Sequence, residues 1–326
     1  MNDSVLLKIN HLKTHYHTPD GIVKAVDDVS FRLHSGQRLG LIGESGSGKS
    51  TIAYSLMRLI RSPGRIEAGE IVLDGIDLLG VSDEEMRQVR LADIALVSQG
   101  AMNSLNPVVR IKRQFIDGLE NHGVRLTRRE AHTRIIDLLV RVGLKPEVAD
   151  MFPHELSGGM KQRVCIAIAI SMEPKLIIAD EPTSALDVVV QRRVMQTLLR
   201  VQAEIGAAVI LIGHDMGLMA QFAERVGVMY AGKLVEEGPI HQIFRQPQHP
   251  YTQTLINSLP NLERKEMIPI AGRPPNLLHP PPGCVFHPRC PQVMERCKHE
   301  IPAVYHPSPD HRAACHLLDE PEPTRL

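Results

Sequence analysis

The stretch Gly43-Glu44-Ser45-Gly46-Ser47-Gly48-Lys49-Ser50-Thr51 has the spacing G-x-x-x-x-G-K-[ST]. The glycines let successive backbone N–H groups turn towards phosphate oxygens. Lys49 brings a cation to the β and γ phosphates, and Ser50 offers a hydroxyl to Mg2+. A helix starting there points its positive end at the same anion. A second group lies downstream, where the apolar run Leu176-Ile177-Ile178-Ala179 ends in Asp180 and Glu181. Asp180 is placed to hold Mg2+, directly or through water, and Glu181 to polarise an attacking water. Alone, such a run reads equally as a buried strand with a solvated acidic end; the phosphate loop upstream favours the chemical reading. His214 follows the next apolar run, in Ile212-Gly213-His214-Asp215, where a strand-end imidazole can bond a γ-phosphate and sense its loss.

The cysteines form the third group. Cys165 stands in an apolar stretch and reads as a small buried residue. Cys284, Cys290, Cys297 and Cys315 crowd the end of the chain with spacing C-x5-C-x6-C-x17-C. In a reducing compartment such a cluster points to metal more often than to disulfides. Four thiolates suit tetrahedral zinc or an iron–sulfur cluster, and the spacing matches neither a zinc ribbon nor the ferredoxin run. His287, His299, His306, His311 and His316 are nearby alternative ligands, though surface or supporting roles suit them better.

The elements that must position these groups can be traced from the pattern. Val5 to Leu12 and Ala25 to Leu33 read as strands around the turn Thr18-Pro19-Asp20-Gly21. Arg38 to Ile42 is a short strand entering the phosphate loop, and a helix is expected from Lys49 to Ile60. From Ser82 to Pro153 the pattern is mainly helical, with a 3.6-residue period over Glu130 to Val142 and Gly143 as its cap. Strand Leu176 to Ala179, helix Val188 to Ile205 and strand Ala207 to Ile212 then alternate, which argues for an α/β core with a helical insertion. Residues 269 to 309 hold eleven prolines, which excludes long helices and central strands and predicts a small module held by loops.

Composition narrows the class. The chain has 326 residues, 43% hydrophobic and 23% charged, which is globular composition with room for about two domains. Thirty-seven basic residues balance thirty-seven acidic ones, so no basic excess marks a nucleic-acid binder. No apolar window reaches the ~18 residues of a membrane span. The N-terminus lacks the pattern of a signal peptide, and a cytosolic protein is expected.

Glu155-Leu156-Ser157-Gly158-Gly159-Met160-Lys161-Gln162-Arg163 resembles the signature motif of ATP-binding-cassette (ABC) ATPases. The resemblance implies that Ser157, Gly158 and Gly159 cap a nucleotide held by an opposite cassette. Gln99, after the strand Ile94 to Ser98, matches the family's glutamine, which touches Mg2+ and water and faces the membrane partner. Ser184-Ala185-Leu186-Asp187 matches the loop that couples two sites across the dimer, His214 the switch histidine, and Tyr16 the aromatic that stacks on adenine, with His17 a competing neighbour. Gln248-His249-Pro250-Tyr251-Thr252, Pro282-Gly283-Cys284, His287-Pro288-Arg289-Cys290 and Ser104-Leu105-Asn106-Pro107 are similar to the oligopeptide and dipeptide importer branch. Met160 is at home in that branch, whereas Gly100-Ala101 replaces its usual Asp-Pro.

The fold implied is α/β: a P-loop NTPase core of ABC type with an antiparallel β subdomain, a helical subdomain and a small Cys/Pro-rich C-terminal extension. The boundaries implied are 1–245 for the ATPase domain, with the helical part at about 101–155 running into the signature helix, and 246–326 for the extension. The activity implied is ATP hydrolysis with Mg2+, Glu181 positioning water and Ser50, Gln99 and Asp180 around the ion. The partners implied are a second, different ATPase subunit, two membrane permeases and an extracytoplasmic solute-binding protein, with no nucleic acid. The chain would sit peripherally on the cytoplasmic face of the inner membrane and drive uptake of di- or oligopeptides. Nickel chelates, glycans or opines are the rival cargoes, and a non-transport ABC ATPase is the rival class. Some relatives carry an iron–sulfur cluster in the tail, which implies [4Fe-4S] on Cys284, Cys290, Cys297 and Cys315, with zinc as the alternative.

Overall fold

The computed structural model of the protein describes residues 4–100, 104–184, 186–259 and 270–319. Ala101 and Ala185 therefore lie outside the described residues. In chain order the strands are β1 (Val5–Thr18), β2 (Gly21–His34), β3 (Arg38–Ile42), β4 (Gly64–Leu73), β5 (Ile76–Asp77), β6 (Ile94–Val97), β7 (Leu176–Asp180), β8 (Ala208–Gly213), β9 (Arg225–Tyr230), β10 (Lys233–Pro239), β11 (Val304–Ser308) and β12 (His311–Ala314). The helices are α1 (Lys49–Leu56), α2 (Asp83–Ala92), α3 (Ile111–Glu120), α4 (Arg128–Arg141), α5 (Gly158–Ala169), α6 (Val188–Ile205), α7 (Met216–Phe222), α8 (Ile240–Arg245) and α9 (Pro250–Asn257). They fall into two compact units, one of Met1–Leu6, Leu33–Arg38 and Leu73–Ile212, the other of Leu7–Arg32, Leu39–Val72 and Gly213–Leu326.

In the first unit β6, β7 and β8 run parallel, with Val97 opposite Ala179 and Asp180 opposite Ile212. Every residue of β7 is buried, as expected of a parallel strand covered on both faces. Helices α2, α4, α5 and α6 of this unit begin on side-chain caps, whereas α3 starts at Arg110 without one. Ser82 with Glu85 and Thr127 with Glu130 form capping boxes, and Ser157 and Asp187 accept from Met160 and Val190 backbone N–H groups. Gly143 and Gly206 take left-handed φ of 71° and 67° just past α4 and α6, which glycine does without strain.

In the second unit β1 and β2 form a hairpin beside β4. Separately, β3 lies parallel to β9, with Ile42 opposite Val228, and β9 pairs antiparallel with β10. Helix α1 is shorter than the sequence suggests. Arg58 turns left-handed at φ 47°, and Leu59 and Arg58 N–H groups bond the Tyr54 and Ser55 carbonyls at 2.8 and 3.0 Å. That is a Schellman stop built without glycine, so no residue type announced it. The tail also departs from a purely looped module: β12 pairs with β10, Glu236 opposite Ala313, and β11 adds outside it. Pro307 falls on β11, the edge strand, where a missing N–H is tolerated.

Candidate functional site

The phosphate loop is built within the second unit, between β3 and α1. Two glycines are sterically required. A Cβ on Gly43 would lie 2.1 Å from the Met229 carbonyl oxygen, and one on Gly48 2.1 Å from that of Ala25. Around Gly46 the corresponding space is open to 4 Å, on the exposed side of the loop. Lys49 is buried and its Nζ donates to the Gly43 and Glu44 carbonyls, both at 2.8 Å, and to Ser47 Oγ at 3.1 Å. The ammonium thus holds the ring in shape. Gly48 caps α1 at φ 101° with no side-chain acceptor, so the first N–H groups of the helix suit an anion. Ser45 is exposed, and Ser50 and Thr51 are half-buried on the first turn.

The first unit carries the carboxylates and the signature. Asp180 is fully buried at the end of β7. Glu181 takes a left-handed φ of 44°, with its N–H donating to the Ile212 carbonyl at 2.9 Å. Strained backbone of this kind recurs where a side chain must be aimed. The Gln99 carboxamide reaches Glu181 Oε2 at 3.0 Å, so the glutamine and the second carboxylate share one place. Ser157 is exposed at the head of α5, followed by Gly158 and a buried Gly159. A Cβ on Gly159 would lie 2.4 Å from Val190 Cγ1, so glycine is what lets α5 approach α6. Asp187 caps α6 through the Val190 N–H at 3.0 Å. Within this unit Gln99 and Asp180 offer carboxamide and carboxylate oxygens, hard donors of the kind Mg2+ takes.

Two further candidates lie in the second unit. His214 is exposed in the turn after β8, and Asp215 beside it caps α7 through Leu218 N–H at 3.0 Å. Tyr16 is half-buried on β1, its ring lying against Gly64, where a Cβ would meet Cε1 at 2.7 Å. His17 is engaged elsewhere, with Nε2 2.5 Å from Glu67 Oε1.

The four tail cysteines are free thiols that bear on one another: charge on Cys284, Cys290 or Cys297 would push the Cys315 thiol up. Burial does so more strongly, raising Cys315 to about 11 and Cys284 and Cys290 above the usual thiol value. Among the described residues no group of three or more His, Cys, Asp or Glu is arranged to hold a metal ion. Among the described residues the expected ligand set is therefore not arranged as a coordination sphere. The histidines find other partners: His311 with Glu236 at 2.7 Å, His316 with the Glu300 carbonyl and His287 with the Cys284 carbonyl, both at 2.9 Å. His299 is exposed beside Glu295.

Sequence reasoning missed what Tyr251 and Arg289 do. Glu44 donates its N–H to the Tyr251 hydroxyl at 3.0 Å, and Arg289 forks onto the Glu44 carboxylate at 2.7 and 2.9 Å. Both residues lie inside the tail motifs quoted above, which marked a branch without giving a role.

The ABC transporter family matches residues 26–184, and the oligopeptide/dipeptide transporter C-terminal region matches residues 235–297. The dipeptide transport ATP-binding protein DppD of Caldanaerobacter subterraneus subsp. tengcongensis is 41% identical over 99% of this chain and 100% of its own. The oligopeptide transport ATP-binding protein OppD of Salmonella typhimurium is 44% identical over 92% of this chain and 90% of its own. An ATP-binding cassette solved as a dimer bound to ADP and phosphate superposes with a TM-score of 0.64 at 28% identity, covering 72% of this chain and 98% of that one. The two family matches and the relatives at over 40% identity across nine-tenths or more of the chain agree, and the chain belongs to the ABC transporter ATPases, in the branch that carries the oligopeptide/dipeptide transporter C-terminal region.

Proposed function

We propose that the protein couples ATP binding and hydrolysis at a cassette dimer to uptake of di- or oligopeptides through two membrane permeases. The observation that carries this reading is the pairing of Gln99 with Glu181 in a chain whose tail matches the peptide-transporter region. Residues 43–51 would bind the triphosphate, with Lys49 against the β and γ phosphates and Tyr16 against the base. Mg2+ bound by Ser50, Gln99 and Asp180 would supply charge neutralisation at the transferring phosphoryl group. Glu181 would accept a proton from the attacking water, with Gln99 fixing its carboxylate, and His214 would report the γ-phosphate. Ser157, Gly158 and Gly159 would close over the nucleotide of the second ATPase, and Asp187 would link the two sites.

The relatives named above act in dipeptide and oligopeptide transport, which favours peptides over nickel chelates, glycans or opines. No helix among the described residues is long and apolar enough to cross a membrane, so membrane attachment would run through the permeases, on the cytoplasmic face. A second, different ATPase subunit and an extracytoplasmic solute-binding protein complete the complex. The domain limits 1–245 and 246–326 belong to this reading. So does a [4Fe-4S] cluster on Cys284, Cys290, Cys297 and Cys315, with zinc as the alternative. What supports it is that Phe286, Gln292 and Leu317 N–H groups each bond the thiol two residues earlier, which favours the thiolate against the larger opposing effect of burial. Such a group would staple a segment too proline-rich to build its own core.

The reading is tested by purifying the chain with its membrane partners, reconstituting them in vesicles and measuring ATP-dependent uptake of labelled dipeptides. Peptide-stimulated hydrolysis with uptake is expected. Stimulation by a non-peptide cargo alone, or recovery with no membrane protein, would overturn it.

A further inference from the structure

Glu44 places a carboxylate in a loop shaped for a triphosphate. Left alone, that charge opposes the ligand. The structure deals with it from the C-terminal side of the chain. Arg289 is buried to 5% exposure, and its guanidinium makes four hydrogen bonds. Two go to the Glu44 carboxylate, one to Tyr230 Oη at 3.1 Å and one from Nε to the Ala271 carbonyl at 2.9 Å. Tyr251, also fully buried, accepts the Glu44 N–H. The two tyrosines and Phe286 pack tilted and edge-on at centroid distances of 4.5 to 5.3 Å, and the Arg289 guanidinium lies over the Tyr230 ring of this cluster. Arg289 itself ends the turn His287–Arg289 between Cys284 and Cys290, held by its N–H on the Phe286 carbonyl at 3.0 Å. Lys49 grips the Glu44 carbonyl from the loop side, so Glu44 is held from both directions.

We propose that Arg289 is a positioning residue for the phosphate loop: its fork neutralises Glu44 and, with Tyr251, fixes the first turn, so that the C-terminal module sets the affinity for the triphosphate. A bidentate, charge-assisted pair in a desolvated place is the strong kind of ion pair, and only an arginine fork supplies it. The proposal rests on residues 43–51 being the triphosphate loop.

The test is calorimetric titration of the full chain with ATP and Mg2+. Arg289→Met weakens ATP binding about tenfold, because it leaves Glu44 charged and unopposed. Adding Glu44→Gln to that variant recovers most of the loss, a sign change that a purely structural arginine does not produce. Arg289→Lys, which keeps the charge and loses the fork, falls between. Should Arg289→Met fail to fold, Arg289→Lys with and without Glu44→Gln gives the same comparison. Unchanged binding in the arginine variants, or a double variant as weak as the single one, would overturn the proposal. Wild-type chain that binds no ATP would instead remove the loop assignment beneath it.

Discussion

The Gln99 carboxamide donates to the Glu181 carboxylate across 3.0 Å, joining the end of β6 to the end of β7. A carboxylate so held is aimed without being neutralised, which is what a water-positioning base requires. Glu181→Gln in the assembled complex is expected to lower hydrolysis by about 100-fold or more while ATP stays bound. Phosphate release and retained nucleotide measure the two effects. Near-normal turnover would remove the assigned role or shift the cycle to the partner cassette.

Gly159 offers a steric test in the signature. Gly159→Ala drives a methyl into Val190 at 2.4 Å, so α5 must lift from α6. The expected cost is about 1–3 kcal/mol of stability, the usual range for overpacking. Under the proposed dimer, in which the signature serves the opposite nucleotide, hydrolysis should fall more than ATP binding by the isolated chain. Denaturant unfolding with parallel binding and turnover assays checks both.

The fold was legible where one residue type does one job. Glycine at 43, 46, 48 and 143 announces itself locally. The apolar runs of β7 and β8 and the length of α6 follow from periodicity. The stop of α1 at Leu56 was not legible, because Arg58 does what glycine usually does. Nor was the seat of β12, because Glu236 and Ala313 meet only through the folded sheet. Glu44 read as a loop residue; its pairing with Arg289 joins positions far apart in sequence, which no local pattern encodes.

His249 predicts a pH dependence. It is fully buried, its Nδ1 accepts the Tyr251 N–H at 3.0 Å, and burial lowers its pKa from 6.5 to about 4. The unfolded chain therefore binds the proton more readily than the folded one between those values. Stability from this group is complete above pH 6.5 and is lost as pH falls towards 4. Melting temperature measured from pH 7 to pH 5 should drop, and His249→Gln should flatten that part of the slope. An unchanged slope in the variant would show that other groups carry the acid response.

The tail thiols give a compositional prediction. Protein purified without oxygen should carry about four iron and four acid-labile sulfide per chain if the cluster reading holds. Each change of Cys284, Cys290, Cys297 or Cys315 to serine should lower that occupancy. One zinc and no sulfide would make the tail a structural zinc module. Finding neither metal would remove the metal reading of the tail.

The pairing of β12 with β10 has a consequence for how the chain is made. Strand β10 presents an open row of amides and carbonyls until Arg312 and Ala313 arrive to meet Glu237 and Glu236. On a ribosome those residues emerge well after β10 itself. The nascent protein thus carries an unfinished sheet edge between the making of β10 and that of β12, the kind of surface on which chains stick to one another. A message cut short between β10 and β12 would yield a product with every nucleotide motif in place and that edge still bare, marked for aggregation or quality control.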